Sequence, residues 1–185
     1  MKGKSNPWKI KSNKRAYETP WIAVNHLEVV NPAGKDAIYG TIHFKNIAVG
    51  ILPLDKDYNT WIVGQYRLPI EQFSWEMPEG GGDLNVPPID SAKRELLEET
   101  GIVAQKWTEL LKIHTSNSVT DEWGMIYIAQ DLSFHAPQPD EDEELEIKKL
   151  PFNDLFEMVM KGEITDSLTL AAVLKAKQLI DSGKI

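Results

Sequence analysis

The hydrophobic pattern of the chain changes at a segment rich in glycine and proline, between positions 78 and 88. Before this segment β-branched and aromatic residues dominate, whereas after it apolar residues recur at helical spacing. Turn signals at 31–36 and 55–59 divide the first half into predicted strands at 22–30, 37–44, 47–54 and 61–67. A strand-forming half joined to a helix-forming half predicts an α+β fold, or a mixed α/β arrangement, with helices against a sheet.

The second half predicts three helices with short strands between them. The first helix covers 91–100, with Asp90 as its N-cap and Gly101 at its C-cap. A second helix is predicted at 152–160, and a third begins at Thr165 or Asp166 and turns an apolar stripe towards a core. Strands are expected at 107–114, 125–129 and 147–150. The β-rich residues 1–44 are predicted to form a region of their own before a catalytic domain at 45–185.

Composition limits the classes of protein that the chain can belong to. With 185 residues, 42% of them hydrophobic and 26% charged, it can bury a core and is not expected to be disordered. The net charge of −8 argues against a protein whose main task is to bind a nucleic-acid backbone. Because the chain contains no cysteine, any metal must be bound by oxygen or imidazole ligands.

The first residues give no sign of a targeting segment. Positions 1–17 are polar and rich in lysine, which is typical of neither a signal peptide nor a membrane anchor, and no apolar run is long enough to span a bilayer. We therefore expect a cytoplasmic protein without a membrane partner. The basic stretch at 2–15 is interpreted as a solvated, fraying terminus in preference to a nucleic-acid arm.

Three glutamates lie on one stripe of the first predicted helix. Glu95, Glu98 and Glu99 are related by three and four positions, so their carboxylates converge while the intervening leucines can face the core. A divalent cation would offset their mutual repulsion, and oxygen ligands favour Mg²⁺, Mn²⁺ or Ca²⁺ over zinc. The alternative is that these glutamates form only a solvated acidic face.

The residues around this helix decide between the two interpretations. Positions 80–102 resemble the Nudix box, whose pattern is G-x5-E-x7-R-E-U-x-E-E-x-G-U with U an aliphatic residue. Eight of the nine specified positions match, namely Gly80, Arg94, Glu95, Leu96, Glu98, Glu99, Gly101 and Ile102. The first glutamate of the pattern is replaced by Val86, so Asp83 or Asp90 is the expected substitute as a partner for Arg94.

The resemblance implies a Nudix α/β/α sandwich, with a mixed central sheet between helices, and a metal-dependent pyrophosphatase. Mg²⁺, with Mn²⁺ as a possible substitute, would be bound by Glu95, Glu98 and Glu99, with Glu79 contributing its backbone carbonyl beside Gly80. Glu99 would also take part in catalysis. Glycines 80–82 would let the backbone approach the phosphates, the alternative being a flexible turn.

Other segments resemble the branch of the family that hydrolyses ADP-ribose and nucleoside diphosphate sugars. By this resemblance Arg67 and Glu76 would bind the substrate, although the two could instead form a structural ion pair. Glu122, at the end of the loop 115–122, would bind a ribose hydroxyl, although the proline usual in this loop is missing. In the acidic run 140–146, Glu141 or Glu143 would be the general base, the alternative being a solvated loop.

The N-terminal aromatic residues match a segment that crosses a dimer interface in this branch. Tyr17 and Trp21 would bring a ring to the substrate's base in a homodimer, or would anchor the first strand in its own core. Leu168 replaces a lysine that is typical of sugar-nucleotide hydrolases, which favours ADP-ribose as the substrate. The alternatives are ADP-glucose or GDP-mannose type substrates, and a catalytically silent domain that binds a nucleotide sugar.

Overall fold

The computed structural model describes residues 5–137 and 144–185. Contacts within the chain divide it into two compact units. Unit 1 contains Met1–Asn46 and Ser116–Glu122, and unit 2 contains Ile47–Thr115 and Trp123–Ile185. In the described ranges, no helix has the length and apolar character needed to cross a membrane.

The described part of the chain contains ten strands and three α-helices. The strands are β1 (Lys9–Glu18), β2 (Ile22–Val30), β3 (Asp36–Phe44), β4 (Asn46–Pro53), β5 (Asn59–Arg67), β6 (Gln72–Glu76), β7 (Glu79–Asp83), β8 (Ile102–His114), β9 (Trp123–Phe134) and β10 (Glu146–Pro151). The helices are α1 (Pro88–Thr100), α2 (Phe152–Lys161) and α3 (Ser167–Asp181).

Unit 1 contains an antiparallel sheet in the order β1-β2-β3. The prediction of a fraying terminus at 2–15 is wrong for β1, which pairs with β2 from Lys9 opposite Val30 to Glu18 opposite Ala23. Every residue of β1 is exposed. The strand is therefore formed by its backbone ladder and not by burial of an apolar face, which explains why its side chains gave no period-2 signal.

Unit 2 contains a mixed sheet in the order β7-β4-β9-β8, in which β4 runs parallel to β9, and β9 antiparallel to β8. Successive residues of β9 point to opposite faces of this sheet, so Ile126 and Ile128 enter one core, whereas Tyr127 and Ala129 enter another. A second, antiparallel sheet has the order β10-β5-β6.

The helices of unit 2 belong to the two different cores. Ala92 and Leu96 of α1 pack in the core that contains Tyr127, whereas α2 and α3 contribute Phe152 and Ala172 to the core that contains Ile126. A mixed sheet with helices against both faces is an α/β/α sandwich, so the predicted fold class is confirmed.

The helix boundaries correct one prediction and agree with two. Asp90 is not the N-cap of α1, because the helix begins at Pro88, and Asp90 lies in the first turn, where its charge favours the helix dipole. Gly101 adopts the left-handed conformation, with φ of 69°, and donates its N–H to the carbonyl of Leu97. Of the two predicted caps of α3, Thr165 and Asp166, the cap is Asp166, whose carboxylate accepts the N–H of Thr169.

The glycine-rich segment before α1 is more regular than the sequence suggests. Glu79–Asp83 forms β7, an edge strand beside β4, so the prediction of a loop across 78–88 is wrong for these residues. Glycine is unfavourable in strands, and its low propensity concealed a strand that tertiary pairing holds in place. As a result, Gly80 has a defined position next to α1.

Candidate active site

The glutamates of α1 differ in how deeply they are buried. Glu99 is only 3% exposed, the Glu95 side chain is mostly buried, and the Glu98 side chain is the most accessible of the three. Leu96, between them, is fully buried in the core. Burial of Leu96 fixes the rotation of the helix, and this rotation presents the three carboxylates along the edge of α1 that faces β7.

Arg94 ties two of these carboxylates to β7. Its guanidinium donates to Glu95 at 2.7 Å, to Glu98 at 2.6 Å and to the carbonyl of Gly81 at 2.9 Å. The expectation that Asp83 or Asp90 would be its partner is therefore wrong. The guanidinium donates directly to the backbone of β7, and the carboxylates of Glu95 and Glu98 neutralise its positive charge.

Gly80 lies directly beside the carboxylate of Glu95. A Cβ atom at position 80 would stand 2.3 Å from Cδ of Glu95 and 2.4 and 2.5 Å from its two oxygens, which is closer than real Cβ contacts allow. Only glycine lets this carboxylate rest against the strand. The glycine therefore has a specific packing role in β7, and the alternative of a flexible turn is wrong.

Glu79 joins the strand to the inner glutamate of the helix. Its backbone N–H donates to Oε2 of Glu99 at 3.0 Å, and its side-chain Oε2 is buried without a hydrogen-bond partner. Burial raises the pKa of the Glu79 carboxyl well above its usual value, and the charges of Asp166 and Glu76 raise it further, against the opposing effect of Arg67. A buried carboxyl oxygen without a partner is costly unless another group supplies a proton or a positive charge.

These residues fit a divalent metal. In residues 5–137 and 144–185, no three acidic or histidine side chains already stand as a ready ligand group. However, the donors near β7 are all oxygens, the carboxylate of Glu95 occupies the cradle left by Gly80, and one buried carboxyl oxygen of Glu79 is unpaired. Oxygen donors of this kind suit Mg²⁺ or Mn²⁺.

Arg67 and Glu76 form an ion pair across β5 and β6. The Nε of Arg67 donates to both oxygens of Glu76, at 3.1 and 3.0 Å, its Nη2 also donates to Glu76, and Nη2 lies 3.3 Å from Glu79. The hydrogen bond that Arg67 donates to Glu76 raises the pKa of Arg67. The structure thus contains the ion pair that the sequence left as an alternative, and the guanidinium is already engaged with carboxylates.

A cleft of about 440 Å³ opens next to this ion pair in unit 2. Arg67, Ser74 and Glu79 line it on the side of the sheet, and Thr165, Asp166 and Ser167 line it where α3 begins. Sequence reasoning had identified Asp166 as a candidate helix cap and as the aspartate two positions before Leu168, which replaces a lysine typical of sugar-nucleotide hydrolases. The position of Asp166 in the cleft follows from tertiary packing, because Thr169, one turn into α3, accepts the N–H of Met77 at 3.0 Å.

Three other predicted site residues belong to unit 1. Trp21 and Tyr17 are 67% and 59% exposed, so the alternative that they anchor the first strand in a core is wrong. Glu122 follows a loop that is attached to β3, where the backbone of Ile42 bonds to Val119 and Asp121. Their roles towards a substrate remain predictions.

The two candidates for the general base, Glu141 and Glu143, lie outside the described residues. Their assignment remains a prediction from the sequence. Within the described residues, the structure brings Glu79, Glu95, Glu98 and Glu99 together around β7 and α1, and Arg67 and Glu76 together beside the cleft.

The NUDIX domain model matches residues 44–171 of the chain. An ADP-ribose pyrophosphatase of Bacillus subtilis (strain 168) is 31% identical over 141 residues, which cover 74% of this chain and 76% of the relative. An ADP-ribose pyrophosphatase of Mycobacterium tuberculosis is 33% identical over 131 residues, or 69% of this chain and 63% of the relative. A crystal structure of an ADP compounds hydrolase aligns with a TM-score of 0.86 at 22% identity, covering 99% of this chain and all of that one.

The chain belongs to the NUDIX family, because the family model matches residues 44–171, which is more than half of the chain. The matched residues include the box at 80–102. The family resemblance predicted from the sequence is thereby confirmed. The protein is a hydrolase of the pyrophosphatase type. The structural alignment supports the fold.

Proposed function

We propose that the protein hydrolyses the pyrophosphate of ADP-ribose to AMP and ribose 5-phosphate, with Mg²⁺ as the metal. The observation that carries the proposal is the arrangement of three glutamates on α1 against a glycine that admits the Glu95 carboxylate. Two relatives similar over about 70% of the chain are ADP-ribose pyrophosphatases, which supports this choice of substrate.

The residues near β7 have two roles: some would bind the metal, and Arg94 positions two of the metal-binding carboxylates. Glu95, Glu98 and Glu99, with the backbone carbonyl of Glu79, would bind the metal. A metal bound there would supply positive charge to the phosphate oxygens and would polarise the attacking water. Arg94 holds the Glu95 and Glu98 carboxylates in place before the metal arrives. The proton would pass to a carboxylate of the acidic run at 140–146.

The second candidate is hydrolysis of another nucleoside diphosphate sugar, such as ADP-glucose or GDP-mannose. The same metal site would serve these substrates, since the scissile bond is the same. A silent binding domain is disfavoured because all three glutamates of the box are retained. Leu168, in place of the lysine that is typical of sugar-nucleotide hydrolases, favours ADP-ribose. The exposed rings of Trp21 and Tyr17 would suit the base of any of these substrates.

A substrate panel tests the proposal. ADP-ribose, ADP-glucose and GDP-mannose are incubated with Mg²⁺, Mn²⁺ or EDTA, and the products are separated by chromatography. We expect the highest kcat/KM with ADP-ribose, AMP and ribose 5-phosphate as products, and no turnover in EDTA. A sugar nucleotide ranked clearly first would replace ADP-ribose as the substrate. Binding without any hydrolysis would support the silent domain.

The proposal includes a homodimer formed through unit 1. Unit 1 exposes several large apolar side chains, namely Trp8, Ile10, Tyr17, Trp21 and Ile38. Apolar surface of this kind is favourable to bury against a second copy. Light scattering coupled to size-exclusion chromatography should give twice the mass of the 20.9 kDa chain. A monomer mass at micromolar concentration would contradict this part of the proposal.

A further inference from the structure

Asp121, in the loop at 116–122, is bonded to three consecutive residues of β3, and both the loop and β3 belong to unit 1. The N–H of Asp121 donates to the carbonyl of Ile42 at 3.2 Å, and its Oδ1 accepts the N–H of Phe44 at 2.9 Å. Its Oδ2 lies 2.5 Å from Nδ1 of His43. Ile42 and Phe44 use backbone groups, so the imidazole of His43 is the only side chain of β3 among these three contacts.

The charge state of Asp121 defines the direction of its bond with His43. Burial raises the pKa of the Asp121 carboxyl, but hydrogen bonds from His43 and Phe44 outweigh this effect and lower the pKa below its usual value. The carboxyl is therefore ionised at neutral pH, and an ionised carboxylate can only accept hydrogen bonds. It follows that Nδ1 of His43 carries a proton and donates to Oδ2 of Asp121.

The contact between His43 and Asp121 lies at the surface. The two side chains are 47% and 57% exposed, and none of the residues 116–122, all of which the structure describes, is buried. Polar contacts this exposed contribute little to global stability, whereas a loop without buried residues can open locally at low free-energy cost. Loss of the bond from His43 should therefore change the position of the loop without unfolding unit 1.

Glu122 follows Asp121 directly in the chain and is partly buried. Because Asp121 is bonded at its N–H and at both carboxylate oxygens, the backbone that leads into Glu122 has a defined position. Glu122 is the residue predicted to bind a ribose hydroxyl. A carboxylate bonds to a hydroxyl only when the two oxygens lie about 2.5–3.0 Å apart, so a small displacement of the loop would remove that bond.

We infer that His43 is a positioning residue for the substrate: by donating to Asp121 it fixes the loop, and it thereby places the Glu122 carboxylate where it accepts a hydrogen bond from a ribose hydroxyl. The inference rests on the proposed function, because it requires a substrate that carries a ribose. His43 itself makes no contact with the substrate in this proposal.

Two substitutions of His43 separate its hydrogen bond from the bulk of its ring. His43→Asn keeps an N–H donor at the δ position, from which it can still bond to Asp121, whereas His43→Leu fills a similar volume and has no donor. His26→Leu makes the same change at an exposed position of β2 and serves as the control. The melting temperatures of all three variants should stay close to that of the unmodified protein.

Amide hydrogen exchange reports on the loop without any substrate. The N–H of Phe44 is bonded to Asp121, and the N–H of Ile42 is bonded to Val119, so exchange at both amides depends on attachment of the loop. In His43→Leu both should exchange about 3- to 10-fold faster, the effect of losing one hydrogen bond at the surface. In His43→Asn and in the control the change should be less than about twofold. Unchanged exchange in His43→Leu would overturn the inference.

Steady-state kinetics with ADP-ribose test whether His43 acts through Glu122. In His43→Leu, KM should rise about 3- to 10-fold while kcat changes less than about twofold, because the lost contact binds substrate and transition state alike. His43→Asn should restore KM to within about twofold of the unmodified value. Glu122→Ala should raise KM at least as much as His43→Leu does, and combining the two should raise it no further than about twofold. If the effects of the two single variants multiply in the double variant, His43 does not act through Glu122.

The result for this inference can be told apart from the result for the proposed function. If another nucleoside diphosphate sugar is the substrate, the same double-mutant cycle is measured with it, and if nothing is hydrolysed, the cycle is measured on the dissociation constant of ADP-ribose by calorimetry. Coupling between His43 and Glu122 in either case supports the inference while the proposed function fails. Hydrolysis of ADP-ribose with independent effects of the two residues supports the proposed function and overturns the inference. A protein that neither hydrolyses nor binds these nucleotides contradicts both.

Discussion

The hydroxyl of Thr169, near the start of α3, accepts a hydrogen bond from the backbone N–H of Met77 at 3.0 Å. Both residues are fully buried. Met77 lies in the chain between Glu76, which is paired with Arg67, and Glu79, which begins β7. One side chain of α3 therefore fixes the backbone from which two acidic residues of the candidate site project.

Replacing Thr169 with valine tests this relationship. Valine keeps the shape but leaves the Met77 N–H buried without a partner, which should lower the free energy of unfolding by about 1–3 kcal/mol. Thr169→Ser keeps the oxygen and should retain most of the hydrogen bond's contribution. Urea denaturation measures both, and kcat should follow the same order in conditions where each variant is folded. Equal behaviour of the valine and serine variants would contradict the role of the hydroxyl.

Gly80→Ala should reduce activity much more than stability. The new Cβ would collide with the end of the Glu95 side chain, which can rotate away, so the fold should persist while a carboxylate of the metal site is displaced. We expect a rise in the Mg²⁺ concentration needed for half-maximal activity and a fall in kcat of at least about tenfold. Enzyme assays across a Mg²⁺ titration measure both.

Two other glycines provide contrasts for this prediction. Gly40→Ala should be neutral, since nothing lies within 4 Å of its added Cβ. Gly82→Ala would meet Cγ1 of Ile47 at 2.8 Å, in the core, and should lower the melting temperature instead. If Gly80→Ala keeps its activity and metal dependence, the proposed role of the close approach is wrong.

The parts of the fold that the sequence predicted are those with local signals. The apolar stripe and the αL glycine defined the end of α1, and the Asp166 cap defined the start of α3, because caps and helical periods depend on neighbours within one turn. β1 was missed because its pairing with β2 involves exposed side chains without alternation. β7 was missed because glycine usually indicates a turn.

The candidate site likewise contains features that local spacing predicted and features that depend on tertiary contacts. Spacing alone placed Glu95, Glu98 and Glu99 together, since i, i+3 and i+4 share a helix face. The contact of Thr169 with Met77 spans 92 positions and carries no sequence signal. Equally, no spacing rule could show that Arg94 would bond to the carbonyl of Gly81 in place of an aspartate.

The Asp55 carboxylate provides a prediction about pH. Although burial raises its pKa, hydrogen bonds from Asn59, Lys149 and Asp57 outweigh this effect and lower the pKa from 3.8 to about 2. A group whose pKa is lower in the folded state stabilises the fold above its unfolded value, and this stability is lost as the pH falls. Because solvent screens this partly exposed carboxylate, Asp55 should contribute only about 1 kcal/mol above pH 4, and this contribution should disappear as the pH approaches 2.

Other carboxylates titrate in the same range, so the prediction is tested as a difference. Unfolding by urea is measured for the unmodified protein and for Asp55→Asn, at pH 7 and at steps below pH 4. The gap in unfolding free energy should be largest at pH 7 and should shrink below pH 4. A gap that is independent of pH would show that the ionised carboxylate of Asp55 does not stabilise the fold.

The acidic run at 140–146 provides the last prediction, which depends on a division between residues that bind the metal and a residue that accepts the proton. If Glu141 or Glu143 is the general base, its change to glutamine should lower kcat by about two to four orders of magnitude with little change in KM. Raising Mg²⁺ should not restore the activity. Glu98→Gln provides the matched comparison, because it removes a charged ligand and its loss of activity should be partly reversed by more Mg²⁺.

The two loop variants and their double variant are compared, since one carboxylate of the run can replace its neighbour. If all three keep at least about a tenth of the original kcat, the loss is smaller than a general base contributes, and the base must be sought among Glu95, Glu98, Glu99 and Glu122.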